Sequence, residues 1–164
     1  MLWQSWKRPS PLDPAYAEAY SGLGFALQRQ GKLDEAVGRF QEAIELKPEL
    51  DEAHNNLGAI FLQQGRLDDA IDHFRQVLRI KPDHVQAHQN LGAVLVRQGK
   101  LEEAVSHLSQ ALELQPDSAE GHYNLGLALA AQGNHKEATA HMFEAARINP
   151  ALDGAFQDFQ RMRQ

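Results

Sequence analysis

The chain contains no cysteine. A disulfide scaffold, a thiolate-ligated metal site and a thiol nucleophile are therefore excluded. It also has no run of the roughly 20 apolar residues that a membrane helix requires, so membrane insertion is not expected. The opening stretch, Met1 to Pro11, places Lys7 and Arg8 behind its apolar residues and has no hydrophobic run. It does not read as a secretory signal, and the expected location is cytoplasmic. Basic charge is in deficit: 16 Lys and Arg stand against 22 Asp and Glu, for a net charge of −6. Nucleic acid is not an expected partner, because phosphate binding needs a basic surface. Catalytic signatures are missing as well. There is no Gly-x-Ser-x-Gly elbow and no recognisable Ser–His–Asp arrangement. Gly22-Leu23-Gly24 lacks the further glycine of a phosphate loop. The chain is read as no enzyme, with no cofactor and no metal.

What the sequence does have is a period. Pro14, Pro48, Pro82, Pro116 and Pro150 are spaced 34 residues apart. Gly24, Gly58, Gly92 and Gly126 form a second column, and Gly31, Gly65, Gly99 and Gly133 a third. Leu23, Leu57, Leu91 and Leu125 precede the first glycine column, and Ala36, Ala70, Ala104 and Ala138 form another. Units 51–84 and 85–118 share 15 of 34 residues, which chance does not produce.

Each column has a physical role. Apolar residues from Leu57 to Leu62 and from Leu67 to Ile80 recur at helical spacing, so each unit reads as two helices. Gly65 lies between them and permits the turn. Gly58, inside the first helix, costs about 1 kcal/mol of helix propensity against Ala. Its recurrence predicts a close approach of the two helices, with Gly58 facing Ala70. Pro82 ends the second helix through its effect on the residue before it. Asp51 and Glu52 open one helix and Arg79 and Lys81 close the next, as the helix dipoles favour.

Taken together, the large residue at His54, Leu57-Gly58, Phe61, Ala70, Phe74 and Pro82 resemble the tetratricopeptide repeat. The resemblance implies an all-α fold: a right-handed α-solenoid of helix–turn–helix repeats. It spans residues 15–152, with repeats at about 17–50, 51–84, 85–118 and 119–152. The leader, 1–14, is read as the remnant of an N-terminal cap, because a 34-residue shift places Trp6 on Phe40 and Trp3 on Val37. A disordered leader is the alternative. Residues 153–164 read as a C-terminal capping helix with Phe156, Phe159 and Met162 as its apolar stripe.

In the resembled family, first helices line a concave surface that holds extended or helical peptides. The resemblance places Phe25 and Arg29 of the first unit there, and Asn55, Asn56, Ala59 and Leu62 of the second. Gln89, Asn90, Ala93 and Arg97 follow from the third, and Tyr123, Asn124 and Leu127 from the fourth. Asn56, Asn90 and Asn124 form an amide column. An amide both donates and accepts, so such a ladder suits a peptide backbone without reading its sequence. Members that hold a chaperone's terminal carboxylate use a basic clamp, whereas Ser21, Phe25, Gln86 and Asn90 bring no cation. The expected function is a protein–protein interaction module binding a peptide segment of a protein partner. A self-assembling scaffold, hence a homo-oligomer, or the targeting arm of a larger multidomain enzyme are the alternatives.

Two histidine columns remain, His54, His88 and His122, and His73, His107 and His141. One His per repeat cannot converge on a single ion, because neighbouring helices lie about 8–10 Å apart and zinc ligands about 2 Å from the metal. The first column is expected to pack where the family has a large aromatic. His84 and His88, four apart, form a weak two-ligand pattern.

Overall fold

A computed structural model describes residues 15–161. Among these the chain is a succession of antiparallel helix pairs: α1 (Ala15–Arg29) with α2 (Leu33–Leu46), α3 (Asp51–Gln63) with α4 (Leu67–Ile80), α5 (Val85–Arg97) with α6 (Leu101–Leu114), and α7 (Ala119–Ala131) with α8 (His135–Ile148). A 3₁₀ turn, Pro150–Leu152, leads into α9 (Asp153–Arg161). Each pair packs on the next, building a right-handed α-solenoid. The expected leader cap, with Trp3 and Trp6, and the stripe residue Met162 lie outside the described residues.

The turn inside each unit requires its glycine. Gly31, Gly65, Gly99 and Gly133 all have positive φ, from 72° to 86°, a region that side chains disfavour. The amide of the following residue then reaches back to close the first helix: Lys32 donates to Leu27, Arg66 to Phe61, Lys100 to Leu95 and Asn134 to Leu129. This is the Schellman closure of a helix C-terminus.

The other glycine column works as expected in kind but not in partner. A Cβ on Gly58 would lie 2.6 Å from Phe74 Cε1, one on Gly24 2.9 Å from Phe40 Cε1, and one on Gly92 2.5 Å from Leu108 Cγ. The glycine therefore makes room first for the large residue of the second helix; in the fourth unit a Cβ on Gly126 would also lie 3.3 Å from the carbonyl oxygen of Ala138, in the alanine column. Ala70 lies one helical turn earlier on the same face, where it is itself fully buried. Phe40, Phe74, Leu108 and Met142 fill the centre of each pair with no exposure beyond 2%.

The first unit differs at its outer edge. Leu57, Leu91 and Leu125 are buried, but Leu23, with no repeat before it among the described residues, is 48% exposed. At the other end α9 packs on α8, burying Phe159 and setting Phe156 edge-on to Phe143, with ring centres 5.9 Å apart.

Candidate functional site

The first helices of successive units approach one another: α1 meets α3, α3 meets α5, and α5 meets α7. The second helices α2, α4, α6 and α8 make no such mutual contact. A stack that is tighter along its first helices bends toward them, so these helices line the inner face of the curve.

The sequence-selected residues lie on these first helices in three states of exposure. Phe25 (47%), Leu127 (40%), Arg29 and Arg97 are exposed. Asn55, Asn56, Ala59, Leu62, Asn90, Ala93, Tyr123 and Asn124 are half-buried, with Leu62 and Tyr123 resting partly on the core. Gln89 departs from the rest. It is buried, and its Nε2 donates to Ser118 Oγ at 3.0 Å. The same hydroxyl accepts the Gly121 amide and caps α7. Gln89 thus ties one unit to the next, because its side chain is one methylene longer than Asn55 of the same column. The Oδ1 of Asn90 accepts from Gln86 at 3.2 Å. Asn55 Oδ1 and Ser21 Oγ, in one column, are shielded without a protein partner among the described residues.

The two histidine columns meet, which spacing within each column did not reveal. His54 Nδ1 lies 2.9 Å from His73 Nδ1, His88 Nδ1 3.0 Å from His107 Nδ1, and His122 Nδ1 2.9 Å from His141 Nδ1. The first-helix ring of each pair also bonds through Nε2 to a loop carbonyl, Pro48 at 3.0 Å, Pro82 at 2.8 Å and Pro116 at 2.9 Å. Two signals were available: both columns share the 34-residue period, and their offset is always 19. Burial lowers the proton affinity of His54, and the Pro48 bond partly offsets that effect. Burial, then the facing ring, lowers that of His73, His107 and His141. His84 is no partner of His88 in a chelate. Its Nδ1 caps α5 by accepting the Ala87 amide at 3.2 Å. Among the described residues no group of three or more His, Asp or Glu is placed to hold a metal ion, and no helix is long and apolar enough to cross a membrane.

Profiles described as tetratricopeptide repeat match residues 15–83, 49–117 and 90–153. The chain belongs to the tetratricopeptide repeat family. Two solved structures show how closely this tetratricopeptide array follows known solenoids. A fragment of MamA from Desulfovibrio magneticus, residue 41 to the end, superposes with a TM-score of 0.82 at 22% identity, over 90% of this chain and 85% of that one. PilF from Pseudomonas aeruginosa superposes with a TM-score of 0.80 at 23% identity, over 91% of this chain and 69% of that one. At such identities the likeness concerns the fold. No curated protein sequence matches this tetratricopeptide chain.

Proposed function

We propose that this array is a non-catalytic interaction module that holds an extended peptide segment of a partner along its inner face. The observation that carries the reading is the amide column. Asn56, Asn90 and Asn124 recur at the 34-residue period, half-buried, on α3, α5 and α7, the helices toward which the stack bends. Asn56 and Asn124 have no side-chain partner within the described fold, and Asn90 has one local bond, from Gln86. Amides that the fold leaves available suit the alternating donors and acceptors of a peptide backbone. Phe25, Leu127 and the small Ala59 and Ala93 add apolar contact and room for inserted side chains. Arg29 and Arg97 favour a partner with an acidic residue.

The test is selection of peptides from a random library on the purified chain, followed by titration against the variant N56A/N90A/N124A. Loss of affinity by tenfold or more, about 1.4 kcal/mol, with an unchanged helical circular dichroism spectrum is the expected outcome. Equal affinity in the variant overturns the ladder. A second reading rests on Phe143, which is 56% exposed beside Phe156 and lines an open cavity of about 560 Å³ between α8 and α9. An apolar end of this kind fits self-association. Sedimentation of the native chain against F143E distinguishes the two: one monomeric mass for both removes the second reading.

A further inference from the structure

The histidine pairs are not used by the peptide reading, and their geometry fixes where their protons lie. The carbonyl of Pro48 only accepts, so His54 Nε2 carries a hydrogen and donates to it. In a neutral ring the other nitrogen is then an acceptor, so His73 Nδ1 donates to His54 Nδ1. The same logic holds for His88 with His107 and for His122 with His141. In every pair the lone pair left over sits on Nε2 of the second-helix ring.

A first proton from solvent adds at that outer Nε2. The resulting imidazolium still donates through Nδ1, now as a charge-assisted bond. A second proton must go to Nδ1 of the first-helix ring. Two N–H groups and two positive charges then face each other across about 3 Å, and the bond is lost. The first unit has no such device: Tyr20 and Arg39 stand at the paired positions, with the guanidinium 5.9 Å from the ring centre.

Neighbouring charges on every packed element act on these protons. Around the first pair stand Asp51 of α3, Asp69, Asp72 and Arg79 of α4, and Arg66 before it. Around the second stand Glu103 of α6, 4.0 Å from His107 Nε2, and Arg75 of α4, with Asp83 and Glu113 beside His88. Around the third stand Glu137 and Glu144 of α8, with Glu113 and Asp117 sharing its open cavity. Burial opposes a proton on His73, His107 and His141, and the carboxylates of Asp69 and Asp72, Glu103 and Glu137 offset it only in part; burial likewise opposes a proton on His54.

We propose that the three pairs form a proton-operated latch on units 51–152, in which one proton per pair leaves the bond intact and a second parts the rings and loosens the unit. The sign of the effect follows from linkage. Because His54, His73, His107 and His141 bind protons less readily folded than unfolded, stability is full above the unfolded histidine value of about 6.5. It declines as pH falls below that value and through the lowered folded ones.

The test uses the full 164-residue chain. The control replaces each pair by the residues that unit 1 carries: H54Y/H73R, H88Y/H107R and H122Y/H141R combined. Thermal melts between about pH 8 and pH 5.5, above the carboxylate range, are expected to lose about 5 °C or more in the native chain. The variant is expected to stay flat. An equal pH slope in both overturns the latch. Nitrogen-resolved NMR of the native histidines gives an answer even if the variant does not fold. At high pH the first-helix rings are expected as Nε2–H tautomers and the second-helix rings as Nδ1–H tautomers, with the first proton taken by the latter. Six rings titrating independently near 6.5 overturn the proposal.

Discussion

The first unit and the three after it share one backbone plan and differ in what they place between their helices. Units 51–84, 85–118 and 119–152 each join two imidazoles near 3 Å. The first unit instead sets Arg39 over Tyr20, with Glu42 holding the guanidinium at 2.7 Å. Phe25 is an exposed aromatic on α1, whereas Ala59 and Ala93 in the same column are small. The glycine, alanine and proline columns fix the period, because they govern turn geometry and helix approach. The positions around them carry different chemistry without disturbing it.

The largest expected effect tests what all units have in common. Phe74 is fully buried against Gly58, and Phe74→Ala is expected to lose about 3–5 kcal/mol in urea unfolding. Phe74→Leu, which reproduces Leu108 of the next unit, is expected to cost under about 1.5 kcal/mol. Gly58→Ala alone is expected to cost about 2 kcal/mol, since its Cβ would enter the Phe74 ring. In the Phe74→Ala background that cost should shrink or reverse, because the ring is gone. Additive losses in the two backgrounds would break the assignment of Phe74 as the glycine's partner.

The next effect sharpens the difference between the units. Tyr20→His with Arg39→His installs a fourth pair at the first unit. Its expected result is a steeper loss of stability below about pH 6.5 than in the native chain, read by melts at several pH values. A slope unchanged by the fourth pair means that the pairs do not set the response. The amide column is expected to give a smaller effect on binding, about 1.4 kcal/mol for all three residues together, with no pH dependence of its own.

Sequence alone carried the period, the helix pairs, the turns and the family, because glycine at positive φ and proline at a helix end leave unmistakable marks. Contacts between helices were less legible. Gly58 and Ala70 were matched by column, but the nearest neighbour is Phe74, one turn further on. The spacing along each helix does not fix how far one helix slides along the other. The same gap hid the histidine pairs: each column was read by itself, and only the register of α3 on α4 brings position 54 to position 73. Gln89 looked equivalent to Asn55, but one more methylene carries its amide to Ser118 and into the seam between units.

The smallest expected effect separates the two kinds of helical glycine. Gly22 lies inside α1, yet a Cβ there would meet nothing within 4 Å. Gly24, two residues on, would meet the Phe40 ring at 2.9 Å. Gly22→Ala is therefore expected to stabilise the chain by up to about 1 kcal/mol through helix propensity and a less flexible unfolded state. Gly24→Ala receives the same propensity benefit but must displace a buried ring, so its net effect is expected to be destabilising. Urea midpoints for the two variants, measured side by side, should move in opposite directions. If both rise, the ring yields without cost, and close packing is not what the glycine column serves in the first unit.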